Sequence, residues 1–472
     1  MKTSKSLNQL IPDMLNHIRN HKESHIEYNS ALIDISNGNL LPHIEESMQK
    51  ELNPRAFERS KQRIPPINVL TKLQTKLSKV YADTPNRTAG ENNIDGEMIN
   101  DYVTMWDLDA NMGYANDLLV INKYCALEPY QVDGEAKMRV LSARDFIVYS
   151  DSRVNPNEMT VFIKFMGTMQ KNLPIDSNNR QEPQSVRVAL FHAYSDDEFI
   201  IFDEHGEILE QLDNPYGFIP FVYLRSNNNE LIPTPDSDNL PMTVLIPKLM
   251  ADLNYAVMFG CRSQIVGIDV QMDNVEMSPD SMWILNSVPG ENKSPSLDTI
   301  KSDVDVEKVL TLINTQLGLW LDTKGIKTGS IGKATVDNAA SGISKLIDES
   351  DASAVNRKYK KIFQNAEKRL WKILPDLHTT WISNGETDMN RQFSSQFRPE
   401  VELTDMKIIP NNTEILEELK IENELGIFNQ ERALRRLNPE AGEEEIAAML
   451  NDIKPIISID FPTIEDNQED EE

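Results

Sequence analysis

The sequence predicts an α+β fold. Two observations carry that: long stretches of helical periodicity toward both ends of the chain, and a middle stretch that switches to short runs rich in Val, Ile, Phe and Tyr, punctuated by turns. The chain has 472 residues, more than one compact core usually holds. Its hydrophobic content of 39% and charged content of 26% are those of a packed chain.

The first helical stripe places Leu10, Met14, His17, Ile18, His21 and His25 on one face. A second, INVLTKLQTKLSKVYADTP, aligns Val69, Leu70, Leu73, Leu77 and Val80 and stops before Pro85. Residues 87–97 are polar and read as a loop, and helix returns from Met98 to about Gly113 around Trp106. Between about 115 and 225 come DLLVINKY, RVLSARDFIVYS, TVFIKFMG, SVRVALFHAYS and EFIIFDEHGEILEQL. Turns at Asp133-Gly134 and His205-Gly206 punctuate them, so this is a mostly antiparallel β region. NPYGFIPFVYLRSN closes it, with bends at Pro215, Gly217 and Pro220.

Helix resumes near Pro241 in IPKLMADLNYAVMFGCRSQIVG, with Pro247 either opening it or kinking it. Periodicity then lapses, leaving strand-like pieces such as SMWILNSV. A helix over 304–322 follows, about 28 Å long at 1.5 Å per residue. Residues 323–342 are glycine-rich and polar, too long for a simple turn. The longest helix runs from about Ile343 to Leu374 and ends at Pro375, with a strand-like piece near 397–409 beyond it. TEILEELKIENELG and NQERALRRL form a helical pair parted by Gly426, and AGEEEIAAML is a short acidic helix. Residues 460–472 hold seven acids and no Lys or Arg, and read as a disordered tail.

The chemistry-bearing candidates are few. His17, His21 and His25 share a helix face, but on one straight helix they span about 12 Å, too far for one ion. No metal is expected there. KTGSIGKAT has the look of a phosphate loop, yet Lys327 stands where the first glycine belongs and Ala334 replaces the Mg²⁺-binding hydroxyl. G-x-S-x-G, H-E-x-x-H and G-x-G-x-x-G are all missing. The reading is therefore a non-enzyme without cofactor. Cys125 and Cys261 match no metal or redox spacing and read as small hydrophobes. No apolar run reaches the ~18 residues of a membrane span, and the first residues carry no signal-peptide pattern, so expression in a cytoplasm is expected.

A formal charge of −28 argues against a free-standing DNA-gripping module, which needs a basic surface. An acidic wall lets a polyanion slide. Residues 268–310 hold nine acids and three lysines, whereas the loop 323–342 holds Lys324, Lys327 and Lys333 against Asp337.

The order of these elements resembles the portal proteins of tailed bacteriophages, over nearly the whole chain and through modest matches rather than one sharp motif. NPYGFIPFVYLRSN is similar to the segment closing the family's wing β region. IPKLMADLNYAVMFGCRSQIVG, with Leu253 and Asn254, resembles its first stem helix, and DVDVEKVLTLINTQLGLWLD its second. NAASGISKLIDESDASAVNRKYKKIFQNAEKRL is the best match: Ser341-Gly342 before a long wing helix carrying Lys358, Tyr359 and Phe363. ELGIFNQERALRRLNPEAGEEEI resembles the segment after the wing, with a Ser/Asn helix cap. The chain ends soon after Met449, where several relatives carry long crowns.

The resemblance implies a portal-type fold. Residues 1–240 and 343–412 would be a mixed α/β wing, 241–268 and 304–322 antiparallel stem helices, 269–303 a small clip, 323–342 a tunnel loop, and 413–459 a short helical crown. It implies a ring of twelve subunits at the capsid vertex of a virion, assembled in the host cytoplasm. Its partners would be double-stranded DNA in the channel, the large terminase, a head-tail adaptor, and major capsid or scaffolding protein, with no membrane. Lys324, Lys327 and Lys333 would touch DNA. Gly325, Gly329, Gly332 and Gly342 would be loop hinges, and Trp283, Ile284 and Leu285 would dock the clip's partners. Another virion ring or adaptor protein of the head-tail connector is the alternative, and an enzyme of unknown type the more distant one.

Overall fold

The structure, a computed structural model, describes residues 3, 5–90, 93–172, 185–261, 264–268, 296–300, 305–326, 342–385, 391–403, 419–420, 422, 429–437, 446 and 449–450. They form a mixed α+β protein whose sheets are antiparallel throughout. The chain divides into two units. The larger comprises residues 1–334 and 348–406, and the smaller 335–347 and 407–472.

The larger unit opens with α1 (Leu7–Asn20), a π-helical segment (Lys22–Glu27) and α2 (Tyr28–Ser36). α3 (Leu41–Glu51), α4 (Pro54–Ser60) and α5 (Val69–Leu77) follow. α5 starts where Asn68 caps the Thr71 amide and stops at Leu77, short of the expected Pro85. Val80 is still buried, but from outside the helix. The segment expected to be a loop instead contains β1 (Asn86–Thr88) and the start of α6 (Asn93–Met105). β1 pairs with β12 (Glu400–Glu402), which accounts for the strand expected near 397–409.

α7 (Leu108–Asn122) absorbs DLLVIN, read from sequence as strand. Leu118, Leu119, Val120 and Ile121 are buried in succession, so the last turn of this helix is enclosed on all sides and its apolar run shows no helical period. Lys123, at φ 68°, stops it, and the β region begins at Tyr124.

β2 (Tyr124–Val132) pairs with β3 (Glu135–Leu141) and with β9 (Val222–Arg225) in a three-stranded sheet. The β2–β3 hairpin turns on Asp133 and Gly134, both at positive φ, as a two-residue turn requires. RVLSARDFIVYS contains two strands in different sheets: β4 (Phe146–Tyr149) leaves β3 for a five-stranded meander. The meander continues with β5 (Val161–Asn172), β6 (Ser185–Tyr194), β7 (Glu198–Asp203) and β8 (Ile208–Asp213), in the order β4-β5-β6-β7-β8.

Two apolar cores result. One joins the helices with β2, β3 and β9, and contains Trp106, Phe363, Trp371 and Trp381. The other lies between α1 and the five-stranded sheet, where Phe146, Phe162 and Phe221 stack at centroid distances of 4.8 and 4.1 Å.

α8 (Asn239–Cys261) carries Pro247 inside it, not at its start. It ends seven residues before the expected Ile268, because Gln264–Ile268 is β10 and pairs with β11 (Ser296–Ile300). The β-branched Ile265, Val266 and Ile268 suit a strand better than a helix end. α9 (Val306–Thr323) returns from this hairpin and packs on α8. α10 (Gly342–Ser383) runs straight through Pro375, against the expected stop. Leu370, Trp371, Leu374, Leu377, His378 and Trp381 are all buried on one face, and that packing outweighs the backbone hydrogen bond proline forfeits.

In the smaller unit the described residues include α11 (Gln430–Leu437), whose first turn is capped by Asn429 accepting from the Arg432 amide at 3.1 Å, as the sequence pattern suggested. Leu419 and Ala433 are buried together with Leu437 against them.

Candidate functional site

The glycine-rich stretch after α9 is the segment for which the resemblance implies DNA contact, and the structure describes its first residues, up to Ile326. α9 ends in a Schellman motif. The Ile326 amide donates to the Leu321 carbonyl (2.9 Å) and the Gly325 amide to that of Asp322 (3.0 Å), while Leu321 and Ile326 are both buried. Gly325 sits at φ 76°, a value other residues resist, so it terminates the helix.

Lys324 is not a free lysine. Its Nζ donates to Asp238 Oδ1 at 2.7 Å and to Asp236 Oδ2 at 2.9 Å, and only 12% of its side chain is exposed. Lys123, the left-handed residue closing α7, reaches the same Asp236 oxygen at 2.8 Å. Tyr28 of α2 donates its hydroxyl to the Asp236 carbonyl (2.7 Å) and accepts from the Leu240 amide in the first turn of α8 (3.2 Å). Burial opposes ionisation of Asp236, but Lys123 and Lys324 outweigh it and hold its carboxyl below the usual range. Tyr359 of α10 is buried nearby. Burial, and then the charge of Asp236, push its hydroxyl up to about 12.

Five elements thus meet at one ion cluster where the loop leaves α9. Sequence reasoning missed Asp236, Asp238, Lys123 and Tyr28, although TPDSDN before a helix start is the kind of acid-rich turn that could have flagged them. Of the α10 residues singled out, Tyr359 and Phe363 are core, while Lys358 is exposed. Gly342 opens α10. Lys327, Gly329, Gly332 and Lys333 of the loop, and Trp283, Ile284 and Leu285, lie outside the described residues.

α9 also bears an outward apolar stripe. Ile313 and Trp320, seven residues apart, face the core. Leu312 and Leu319 precede each by one residue, about 100° round the helix, and are 51% and 64% exposed. Seven residues apart, Leu312 and Leu319 lie on the same outward face of the helix.

Two of the histidines are hydrogen-bonded to backbone carbonyls. His17 donates from Nε2 to the Val148 carbonyl (3.0 Å) and His21 from Nδ1 to the His17 carbonyl (2.9 Å). The three rings touch in succession with centroids 4.2 and 4.9 Å apart, the first pair tilted and the second edge-on. Burial, and then the neighbouring His21, lower His17 and His25 to about 4. Among the described residues no group of three or more His, Cys, Asp or Glu is placed to hold an ion, and no helix is long and apolar enough to cross a membrane. Cys125 is buried, and burial raises its thiol far above the usual range, so it is no nucleophile.

No protein-family model matches the chain, and no curated protein matches it either.

Proposed function

We propose that this chain is a portal subunit, a non-enzymatic component of a ring through which double-stranded DNA enters and leaves a phage capsid. The observation that carries this reading is connectivity: α8, the paired strands β10 and β11, α9 packed back on α8, and then, after the basic glycine-rich stretch of sequence, the 42-residue α10. In the family that the sequence resembles, that succession is stem, clip, stem, tunnel loop and wing helix. The exposed Leu312 and Leu319 support lateral association of stems into a closed ring, twelve subunits by resemblance. The large terminase, then a head-tail adaptor, would dock at the clip, and scaffolding or major capsid protein at the wing.

The proposed mechanism is electrostatic. Residues 268–310 are strongly acidic and would keep the polyanion from adhering to the wall. Lys327 and Lys333 would make weak, salt-screened phosphate contacts from the loop. Lys324 is committed to Asp236 and Asp238, and its role in this reading is to anchor the loop's root.

Electron micrographs of the purified protein, viewed down the ring axis, test the reading. Closed rings with a central hole wide enough for duplex DNA are expected. A protein that stays monomeric or dimeric at every salt concentration refutes it. Rings carrying Lys327→Glu and Lys333→Glu should assemble but package or retain DNA poorly.

A further inference from the structure

The charge of this chain is segregated, and the two extremes lie on different parts of the larger unit. Residues 357–372 of α10 hold seven Lys or Arg against one acid, Glu367, which is buried and paired with Arg87. Residues 196–213, spanning β7 and β8, hold eight acids and no Lys or Arg. Both stretches also carry exposed or half-exposed apolar side chains.

On the basic side, α10 forms one wall of a groove of about 820 Å³, and β9 with the β4–β5 connection forms the other. Phe218, Ile362 and Ile373 line it and are half-buried. Arg225, Arg369 and Lys372 line it, Arg369 and Lys372 being exposed. Arg225 donates to the carbonyls of Asn157 and Glu230 and is held in place. Its positive charge meets that of Arg369, a like-charge encounter that an incoming acid relieves. The groove's own acids are Glu158, bonded by Asn155, and Asp376.

On the acidic side, β8 is the last strand of the five-stranded sheet, and among the described residues it pairs only with β7. An edge strand of this kind is the usual template for another chain. Leu209 and Leu212 are 44% and 50% exposed, and Glu210 and Asp213 flank them in the open.

We infer that the β8 edge of one subunit docks in the α10 groove of a second copy of this chain. Leu212 and Glu210, on one face of the strand, match Phe218, Ile362 and Ile373 and the charges of Arg369 and Lys372, and Asp213 adds a further negative charge from the strand end. A nucleic acid brings phosphates but no aliphatic side chain to meet Phe218, Ile362 and Ile373. Topology supports the arrangement. The groove is built on the β4–β5 connection, at one edge of the sheet, and β8 is the other edge, four strand spacings or about 19 Å away. A surface that meets its complement on the opposite edge of an identical molecule is heterologous, and it propagates until the ring closes. The inference rests on the ring reading above and names the surfaces that would close the wing portion of that ring.

Charge reversal and its repair test this in the full-length chain. Three variants are compared with the parent by light scattering and native mass spectrometry over a range of protein concentrations: Arg369→Glu with Lys372→Glu, Glu210→Lys with Asp213→Lys, and all four together. Each pair should raise the concentration for half-assembly by about tenfold or more, since like charges are brought face to face. The fourfold variant should recover at least most of that loss, which also shows that the altered chains fold. Assembly indistinguishable from the parent in both pairs overturns the interface while leaving the ring intact. Loss without recovery in the fourfold variant overturns it too, as does loss confined to DNA binding by Arg369→Glu with Lys372→Glu, which would assign the groove to nucleic acid. A parent chain that forms no ring removes the ring reading and this inference together.

Discussion

Replacing Lys324 by Met removes one charge from the cluster at the root of the loop while keeping most of the side chain's length and apolar stem. Asp238 then loses its 2.7 Å partner, and Asp236 keeps only Lys123. Breaking a fully buried pair costs about 3–5 kcal/mol and breaking an exposed one about 0–1. Here the lysine is 12% exposed while Asp236 and Asp238 are 33% and 43% exposed, so a loss of about 1–2 kcal/mol is expected. The loss should be local first. Amide exchange at Gly325 and Ile326, the two donors of the Schellman motif, should quicken by about 5–30-fold. Lys308→Met is the control, since that lysine is 84% exposed beside Asp305 and should change nothing measurable. The difference between Lys324→Met and the parent should also depend on pH. Asp236 has a depressed folded-state pKa, so its contribution is present above the unfolded value of about 3.9 and is lost as pH falls through the folded one. The two proteins should therefore converge in stability below about pH 4. Unchanged exchange at both amides would refute the assignment of Lys324 as an anchor.

Leu312→Glu with Leu319→Glu should leave the subunit folded but disperse the rings. Covering two half-exposed leucines contributes about 2–4 kcal/mol per interface, and sedimentation velocity reads the loss. Arg87→Met should destabilise the larger unit by about 3–5 kcal/mol in chemical denaturation, because Glu367 is fully buried and would keep only Tyr81 and Trp371 as donors. His17 and His25 have folded-state values lowered to about 4, so the unfolded chain binds their protons first and stability should fall as pH drops from about 6.5 toward 4. His17→Gln with His25→Gln should flatten that part of the profile, and denaturation midpoints at pH 7 and pH 5 measure it.

The amphipathic and strongly alternating segments were legible in the sequence, because their burial follows one period. α1, α9 and the strands β5 to β8 lie close to where the pattern places them. Misreadings cluster where a segment is buried on every side or where tertiary packing overrides a local breaker. Leu118 to Ile121 cannot be told from a strand by periodicity, since no polar face breaks the run. Pro375 has the local chemistry of a helix stop, yet Trp371, Leu374 and Trp381 carry the helix past it. The split of RVLSARDFIVYS between two sheets was also invisible, because the short ARD turn that redirects the chain is held by Asp145 accepting from Ser142 at 2.8 Å. No composition signal announces such a turn.

The loop lysines show a different limit. Counting residues puts Lys324, Lys327 and Lys333 in one basic cluster, as if each were equally available to a phosphate. Three-dimensional neighbours remove that equality. Asp236 and Asp238 lie more than eighty residues upstream, and they neutralise Lys324 at the point where α9 ends. The same holds for the chain as a whole. A net charge of −28 suggests a uniformly repulsive surface, but a basic α10 and an acidic β7–β8 edge coexist in one unit. Net charge governs what such a protein repels at a distance beyond the screening length of about 8 Å. Inside that length, the placement of Arg369, Lys372, Glu210 and Asp213 decides what it can hold.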